Sequence, residues 1–177
     1  MLCLEALRRS SIQPDELIVV DDGSEDDSAA VARAAGAEVL HTAKRSGPAA
    51  ARNLGVSAAT GDLVIFLDAD ITVHEDTLER LVGRFTRDAT LDAVVGSYDD
   101  QPAAPGVVAQ YKNLLHHYTH QNARAEAETF WSACGACRRE VFLAVGGFDQ
   151  SYGRPCIEDI EFGYRLRSAG YRIALDR

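Results

Sequence analysis

Basic residues are in short supply in this chain: 18 Lys and Arg stand against 27 Asp and Glu, a formal net charge of -9 over 177 residues. A nucleic-acid binder carries the opposite balance, and no Lys/Arg-rich run offers a patch for an anionic membrane. Any anionic substrate must be held locally. Long apolar runs are missing as well. Nothing reaches the roughly 18 residues that a transmembrane helix needs, and nothing at Met1 reads as a signal peptide, so a cytoplasmic chain is expected. Cysteine is limited to four residues, which in this size class implies no disulfide framework. Repeats, low-complexity tracts and linkers are also absent. A hydrophobic content of 46% at this length is ordinary for one soluble domain with a sizeable core.

Among what is present, residues 61–72, Gly-Asp-Leu-Val-Ile-Phe-Leu-Asp-Ala-Asp-Ile-Thr, carry the strongest local signal. Leu63–Leu67 is unbroken apolar and partly β-branched, which predicts a strand buried on both faces. Two carboxylates, Asp68 and Asp70, then stand at its C-terminal end, the sheet edge where ligands bind in open α/β folds. One residue apart, they could give hard oxygen ligands to a divalent cation that also holds a diphosphate. The alternative is that such an Asp merely caps the next helix. Thr72 is expected to do that, with Glu75 completing a capping box.

Along the rest of the chain, Leu2, Leu4 and Leu7 suggest a first helix, and residues 16–20 a buried strand that again ends in acids, Asp21 and Asp22. Helices are expected over 29–35, 47–59, an amphipathic stretch around 78–85, 140–145 and 157–169, and short strands at 39–40, 93–98, 130–137 and 171–175. Residues 107–128 read as a polar helix or ordered excursion. Helices and strands alternate at first and are mixed later. The fold class expected is α/β, one domain.

Four pieces share a logic: Val-Val-Asp21-Asp22-Gly-Ser24, Gly47-Pro-Ala-Ala-Ala-Arg52-Asn53-Leu-Gly55, Asp68-Ala-Asp70, and Gly146-Gly-Phe-Asp149 followed by Glu158-Asp159. In that order they resemble the family-2 glycosyltransferases with the A-type nucleotide-sugar-binding fold, over most of the chain. The resemblance implies a three-layer α/β/α arrangement with a mainly parallel mixed sheet, residues 1–98 as the nucleotide-sugar-binding half and 99–177 as the acceptor-binding half. It also implies an inverting transfer of a sugar from a nucleoside-diphosphate sugar, expected to be a UDP-sugar, to an acceptor hydroxyl. It implies that Asp21 recognises the base or ribose while Asp22 and Ser24 shape the turn, and that Arg52 and Asn53 lie near the nucleotide-sugar. For Arg52 a solvated helix face is an equal alternative. Asp68 resembles the residue nearer the ribose and Asp70 the one on the metal, Mg²⁺ or Mn²⁺. Glu158-Asp159 resembles the family's Glu-Asp pair, whose Asp is the general base. Trp131 would offer an apolar face to an acceptor sugar, and Gly135 close approach of a ligand to the backbone. A carbohydrate or lipid-linked acceptor would fit polysaccharide or cell-envelope biosynthesis, at the cytoplasmic face of a membrane in a full-length form.

Two features are set aside. Cys134-Gly-Ala-Cys137 lacks the second paired cluster of a four-ligand zinc site, and His116, His117 and His120 do not supply that spacing. Against the family pattern, the chain starts inside the helix that follows the usual first strand and stops early at its C-terminus, so truncation at both ends is expected. Two other readings compete: a haloacid-dehalogenase-like phosphatase with Asp68 as nucleophile, which needs a later Lys and finds only Lys112, and a truncated, non-catalytic nucleotide-binding relative.

Overall fold

Seven helices and seven short strands follow one another along the described residues of the computed structural model, which are 2–102, 104–152 and 156–177. The first half alternates: α1 (Leu2–Arg8), β1 (Ile18–Asp21), α2 (Ser28–Ala34), β2 (Glu38–His41), α3 (Pro48–Ala58), β3 (Leu63–Leu67), α4 (Thr77–Arg87) and β4 (Ala93–Gly96). The second half is mixed: α5 (Val107–Asn122), β5 (Glu126–Ala127), β6 (Cys134–Arg138), α6 (Arg139–Ala144), α7 (Glu158–Ser168) and β7 (Ile173–Asp176).

Parallel strands β1 and β2 form a sheet of their own, and the other five run in the order β3-β6-β4-β7-β5. Within that sheet β4 and β7 are parallel neighbours, whereas β6 is antiparallel to both β3 and β4, and β5 to β7. Thus β3, β4 and β7 point one way and β6 and β5 the other. The parallel character expected from the alternating first half shows in strand direction more than in the ladders, because β6 inserts between β3 and β4.

Side chains alternate across a strand, so each sheet face collects every second residue. Phe66, Ala93, Val95, Cys137, Ile173 and Leu175 face one way, onto Val56 of α3, Phe142 of α6 and Phe162 of α7. Val94, Ala136 and Ala174 face the other way, onto Leu81 and Phe85 of α4. Two helical layers thus enclose the sheet. The first face is largely aromatic, for Phe66, Phe130, Phe142, Phe148 and Phe162 meet with ring centroids 4.8–6.4 Å apart, mostly in tilted or edge-to-face pairs. A smaller cluster joins Cys3, Ala6 and Leu7 of α1 to Val73 and Leu78.

Three expectations are corrected. β3 is packed on both faces but less deeply than expected: Phe66 is buried and Leu63, Val64, Ile65 and Leu67 are half-buried against clusters on the two sides, and among the described residues β6 is its one ladder partner. Thr72 caps no helix, since α4 starts later, at Thr77 with Asp76 in the cap position, and no side chain there makes a capping bond. The segment expected as a polar helix does form α5, but its apolar side chains point outward.

Gly163 shows how closely α7 approaches the strand-side backbone: a Cβ there would lie 2.3 Å from the Phe130 nitrogen and 2.6 Å from Thr129 backbone atoms. Gly83 of α4 is the opposite case, meeting only the flexible end of Arg87, 3.3 Å away. Gly163→Ala should therefore destabilise the protein by about 3 kcal/mol in a urea melt, while Gly83→Ala stabilises it by about 0.5–1 kcal/mol through helix propensity. Equal effects of the two substitutions would contradict the packing described.

Candidate active site

The motifs sit at strand ends and on helices α3 and α7. Asp68 and Asp70 follow β3, in a turn closed by the Ile71 N–H donating to the Asp68 carbonyl at 3.1 Å. The Asp68 N–H donates to the Ala133 carbonyl at 3.1 Å, which ties this turn to the residues entering β6. Tyr98 follows β4, and its hydroxyl pKa is pushed up first by burial and then by the charges of Asp68 and Asp70.

Arg52 on α3 links the pieces. Its Nη2 donates to Asp68 Oδ1 at 2.7 Å and its Nη1 to Glu158 Oε1 at 3.0 Å, with the Phe148 ring centroid 5.7 Å away. Only 18% of the Arg52 side chain is exposed, which removes the solvated-face alternative. Glu158 is buried, and its second oxygen accepts the Cys156 N–H at 2.9 Å. Such a carboxylate anchors the start of α7. Its neighbour Asp159 is half-buried, with Oδ2 accepting from the Ser132 N–H at 3.2 Å and hydroxyl at 3.3 Å. Ser132, fully buried beside Trp131, was not singled out from sequence; a Ser after the lone Trp has no local signature.

Asp21 and Asp22 end β1 and do different work. Asp22 accepts the Thr42 hydroxyl at 2.6 Å and the N–H groups of Ser46 and Gly47 at 2.8 and 2.7 Å, so it shapes the loop that enters α3. Burial raises its pKa, and these donors together outweigh that and hold it below the usual carboxylate range. Asp21 is lowered chiefly by Ser24, whose N–H reaches Oδ1 at 2.9 Å. His41 Nδ1 lies 3.1 Å from Asp21 Oδ2, and Arg33 Nη2 lies 2.7 Å from the other ring nitrogen. Arginine only donates, so that nitrogen accepts and Nδ1 carries the proton given to Asp21.

Asn53 is occupied by the chain itself. Its amide accepts the Phe148 N–H at 2.9 Å and donates to the Phe148 carbonyl at 2.8 Å, stapling the Gly147–Phe148 turn to α3. Gly147, at φ 69°, adopts a backbone that other residues rarely take, and a Cβ there would sit 2.7 Å from Asn53 Oδ1. The expected role of Gly135 is corrected: the close neighbours are the chain's own, the Trp131 carbonyl at 2.5 Å and the Phe130 ring at 2.7 Å from a Cβ position. No ligand has that space.

Trp131 is half-buried and packs edge-on against His116 and His120, centroids 5.1 and 5.2 Å away, while Tyr98 stacks on His116 at 5.1 Å. His120 is buried, its Nδ1 has no hydrogen-bond partner among the described residues, and burial and then His116 and His117 push its pKa down. Cys134 and Cys137 lie three residues apart on β6 and so on opposite sheet faces, one in each main cluster. Burial pushes their pKa values up to about 11 and about 12.

For a divalent cation the donor set is short, since no three His, Cys, Asp or Glu side chains converge among the described residues. Arg52 engages one oxygen of Asp68, and Asp70 is exposed. Two carboxylates of this kind fit an ion that takes its remaining oxygen ligands from phosphates and water.

The glycosyl transferase family 2 profile matches residues 2–146, and the chain belongs to that family. This removes the dehalogenase-like reading. The pre-mycofactocin glycosyltransferase of Mycobacterium tuberculosis is 36% identical over 94% of this chain and 37% of its own length. Glycosyltransferase GlyG of Streptococcus pneumoniae is 32% identical over 59% of this chain and 36% of its own. A Pyrobaculum calidifontis mannosyltransferase, solved with GDP-Man and Mn²⁺, superposes with TM-score 0.74 at 25% identity, over 98% of this chain and 49% of that one. S. aureus TarS shares the fold, with TM-score 0.72 at 18% identity over 99% of this chain and 53% of the other. The chain thus spans about a third of the curated relatives and about half of these solved structures.

Two outcomes follow. Arg52→Ala leaves Glu158 buried and charged without its cation and should lower stability in denaturant melts by about 3 kcal/mol, much of it recovered in Arg52→Ala/Glu158→Gln. A loss like that of an ordinary surface change would show that the bridge is not held. In native protein an alkylating reagent at pH 8 should label exposed Cys156 first, with buried Cys3 and Cys137 reacting only after unfolding. Fast native labelling of Cys137 would contradict its burial.

Proposed function

We propose that this chain is the catalytic part of an inverting glycosyltransferase that moves a sugar from a nucleoside-diphosphate sugar to an acceptor hydroxyl. The observation that supports it best is the Arg52 bridge from Asp68 to Glu158, the residue next to Asp159, which itself is held by Ser132. Family membership supplies the reaction class.

Asp159 takes the proton of the acceptor hydroxyl, whose oxygen bonds to the anomeric carbon as the bond from that carbon to the diphosphate breaks. The diphosphate leaves with the bonding electrons. A single base opposite the leaving group gives inversion. Glu158 acts as a positioning residue through Arg52, and Ser132 orients the Asp159 carboxylate. Asp21 takes the ribose or base, with Asp22 and Ser24 setting its loop, while Asn53 holds α3 in place from behind. Asp70, with Asp68, would hold Mg²⁺ or Mn²⁺, which when bound neutralises charge on the diphosphate. The acceptor, a carbohydrate or a lipid-linked sugar, lies against Trp131.

The mannosyltransferase neighbour holds GDP-Man and Mn²⁺, and a GalNAc-T7 structure holds UDP, GalNAc and Mn²⁺, so the donor base is tested with both nucleotides. Among the described residues no helix is long and apolar enough to cross a membrane.

Calorimetric titration with UDP and with GDP, with and without Mn²⁺, should show metal-dependent binding that Asp70→Ala abolishes. Asp159→Asn should keep that binding and lose turnover of the sugar donor by roughly 10²–10⁴-fold. Unchanged turnover in Asp159→Asn would remove it as the base. Nucleotide binding with no transfer to any acceptor would favour a non-catalytic relative instead.

A further inference from the structure

Two neighbouring carboxylates stand at the end of β1, and two neighbouring residues at the end of β2 hold them. Asp21 and His41 are register partners in the parallel ladder and each closes its strand, so their side chains leave the same face side by side. One step further, the Thr42 N–H donates to the Asp21 carbonyl at 3.2 Å and the Thr42 hydroxyl to the Asp22 carboxylate. His41 thus serves the first acid and Thr42 the second. The two acids differ in what they have left. A carboxylate offers about four acceptor positions, and Asp22 gives three of them to Thr42, Ser46 and Gly47. Asp21 gives one oxygen to the Ser24 N–H and the other to His41, and keeps one acceptor position on each.

We infer that His41, its proton held on Nδ1 by Arg33, is a positioning residue that aims the free acceptor positions of Asp21 at the donor nucleotide. This rests on the reading of Asp21 as the residue that takes the base or ribose. Only 10% of the Asp21 side chain is exposed, so the carboxylate meets a ligand along one edge, and a small rotation takes that edge out of reach. Ser24 fixes one oxygen, and His41 stops the rotation by engaging the other. The imidazole can do this in one neutral tautomer only. With the proton on Nε2, a lone pair of Nδ1 would face the carboxylate and an N–H would face the Arg33 guanidinium. Arg33 Nη2, 2.7 Å from Nε2, disfavours that form. Arg33 belongs to α2, the helix that joins β1 to β2, so the connection between the strands sets the protonation of a side chain at their end.

Two measurements test the role. A long-range proton–nitrogen NMR spectrum of the ring nitrogens at pH 8, with the His41 signals assigned by their loss in His41→Asn, should show the proton on Nδ1 with no nucleotide present. A proton on Nε2 would overturn the assignment. Calorimetric titration with UDP and with GDP in Mn²⁺ then reads the effect on binding. An Asn amide nitrogen takes the place of Nδ1, whereas a Gln amide lies further out, at the place of Nε2. His41→Asn should therefore bind within about 2-fold of wild type, and His41→Gln about 3–10-fold more weakly. Equal affinity in the wild type and both variants, or equal losses in both variants, would overturn the role of His41 and leave Asp21 as a nucleotide ligand. No binding by the wild type would remove the nucleotide reading itself, and this role with it.

Discussion

The guanidinium of Arg52 is the interaction on which the candidate site depends. It reaches from α3 to the carboxylate that follows β3, the next element, and to the one that begins α7, far along the chain. A buried ion pair adds little net stability by itself, because desolvation offsets attraction. Its value here is geometric. A planar fork with two donors directed at two carboxylates sets their separation, which a Lys with its single point charge could not do. Because Glu158 is tied at one end, the next residue, Asp159, starts its helix at a defined place, and Ser132 completes that placement from the sheet side.

The aromatic core stands behind this arrangement. Phe148 lies under Arg52 and also against Phe66, Phe142 and Phe162, so the face of the sheet that positions the arginine is the face packed most densely with rings. Asn53, one residue along α3, fastens the Phe148 backbone. Two adjacent residues of one helix thus divide the work, one bonding the acids and the other bonding the loop beneath them. Gly147 and Gly135 serve the same packing, each leaving room for a neighbour of its own chain.

Elements with strong local signals were legible from the residues alone. The run ending in Asp68 formed a strand with the expected bounds, and Pro48 opened α3 as its fixed φ requires. Capping was less legible, since the Thr72–Glu75 pattern is a local bond that the turn after β3 did not use. Burial was less legible still. A run such as Leu-Val-Ile-Phe-Leu reads as central, yet among the described residues β3 has β6 as its one ladder partner, and strand order is a matter of which distant segments pair. In α5 the pattern of apolar residues was visible as a composition, but which side faced the sheet was not.

What the sequence by itself determined is the set of chemical parts and their local frames: carboxylates at strand ends, an Arg-Asn pair in a helix opened by Pro, and acids at the start of a late helix. Those follow from periodicity, backbone preference and side-chain chemistry, all of which act within a few residues. Tertiary structure alone decided that Arg52 joins Asp68 to Glu158, that Ser132 meets Asp159, and that α5 turns its apolar side to solvent. Each of these is a contact, or the lack of one, between segments far apart in the chain, and its free energy is settled by the packing of the whole sheet and its helices.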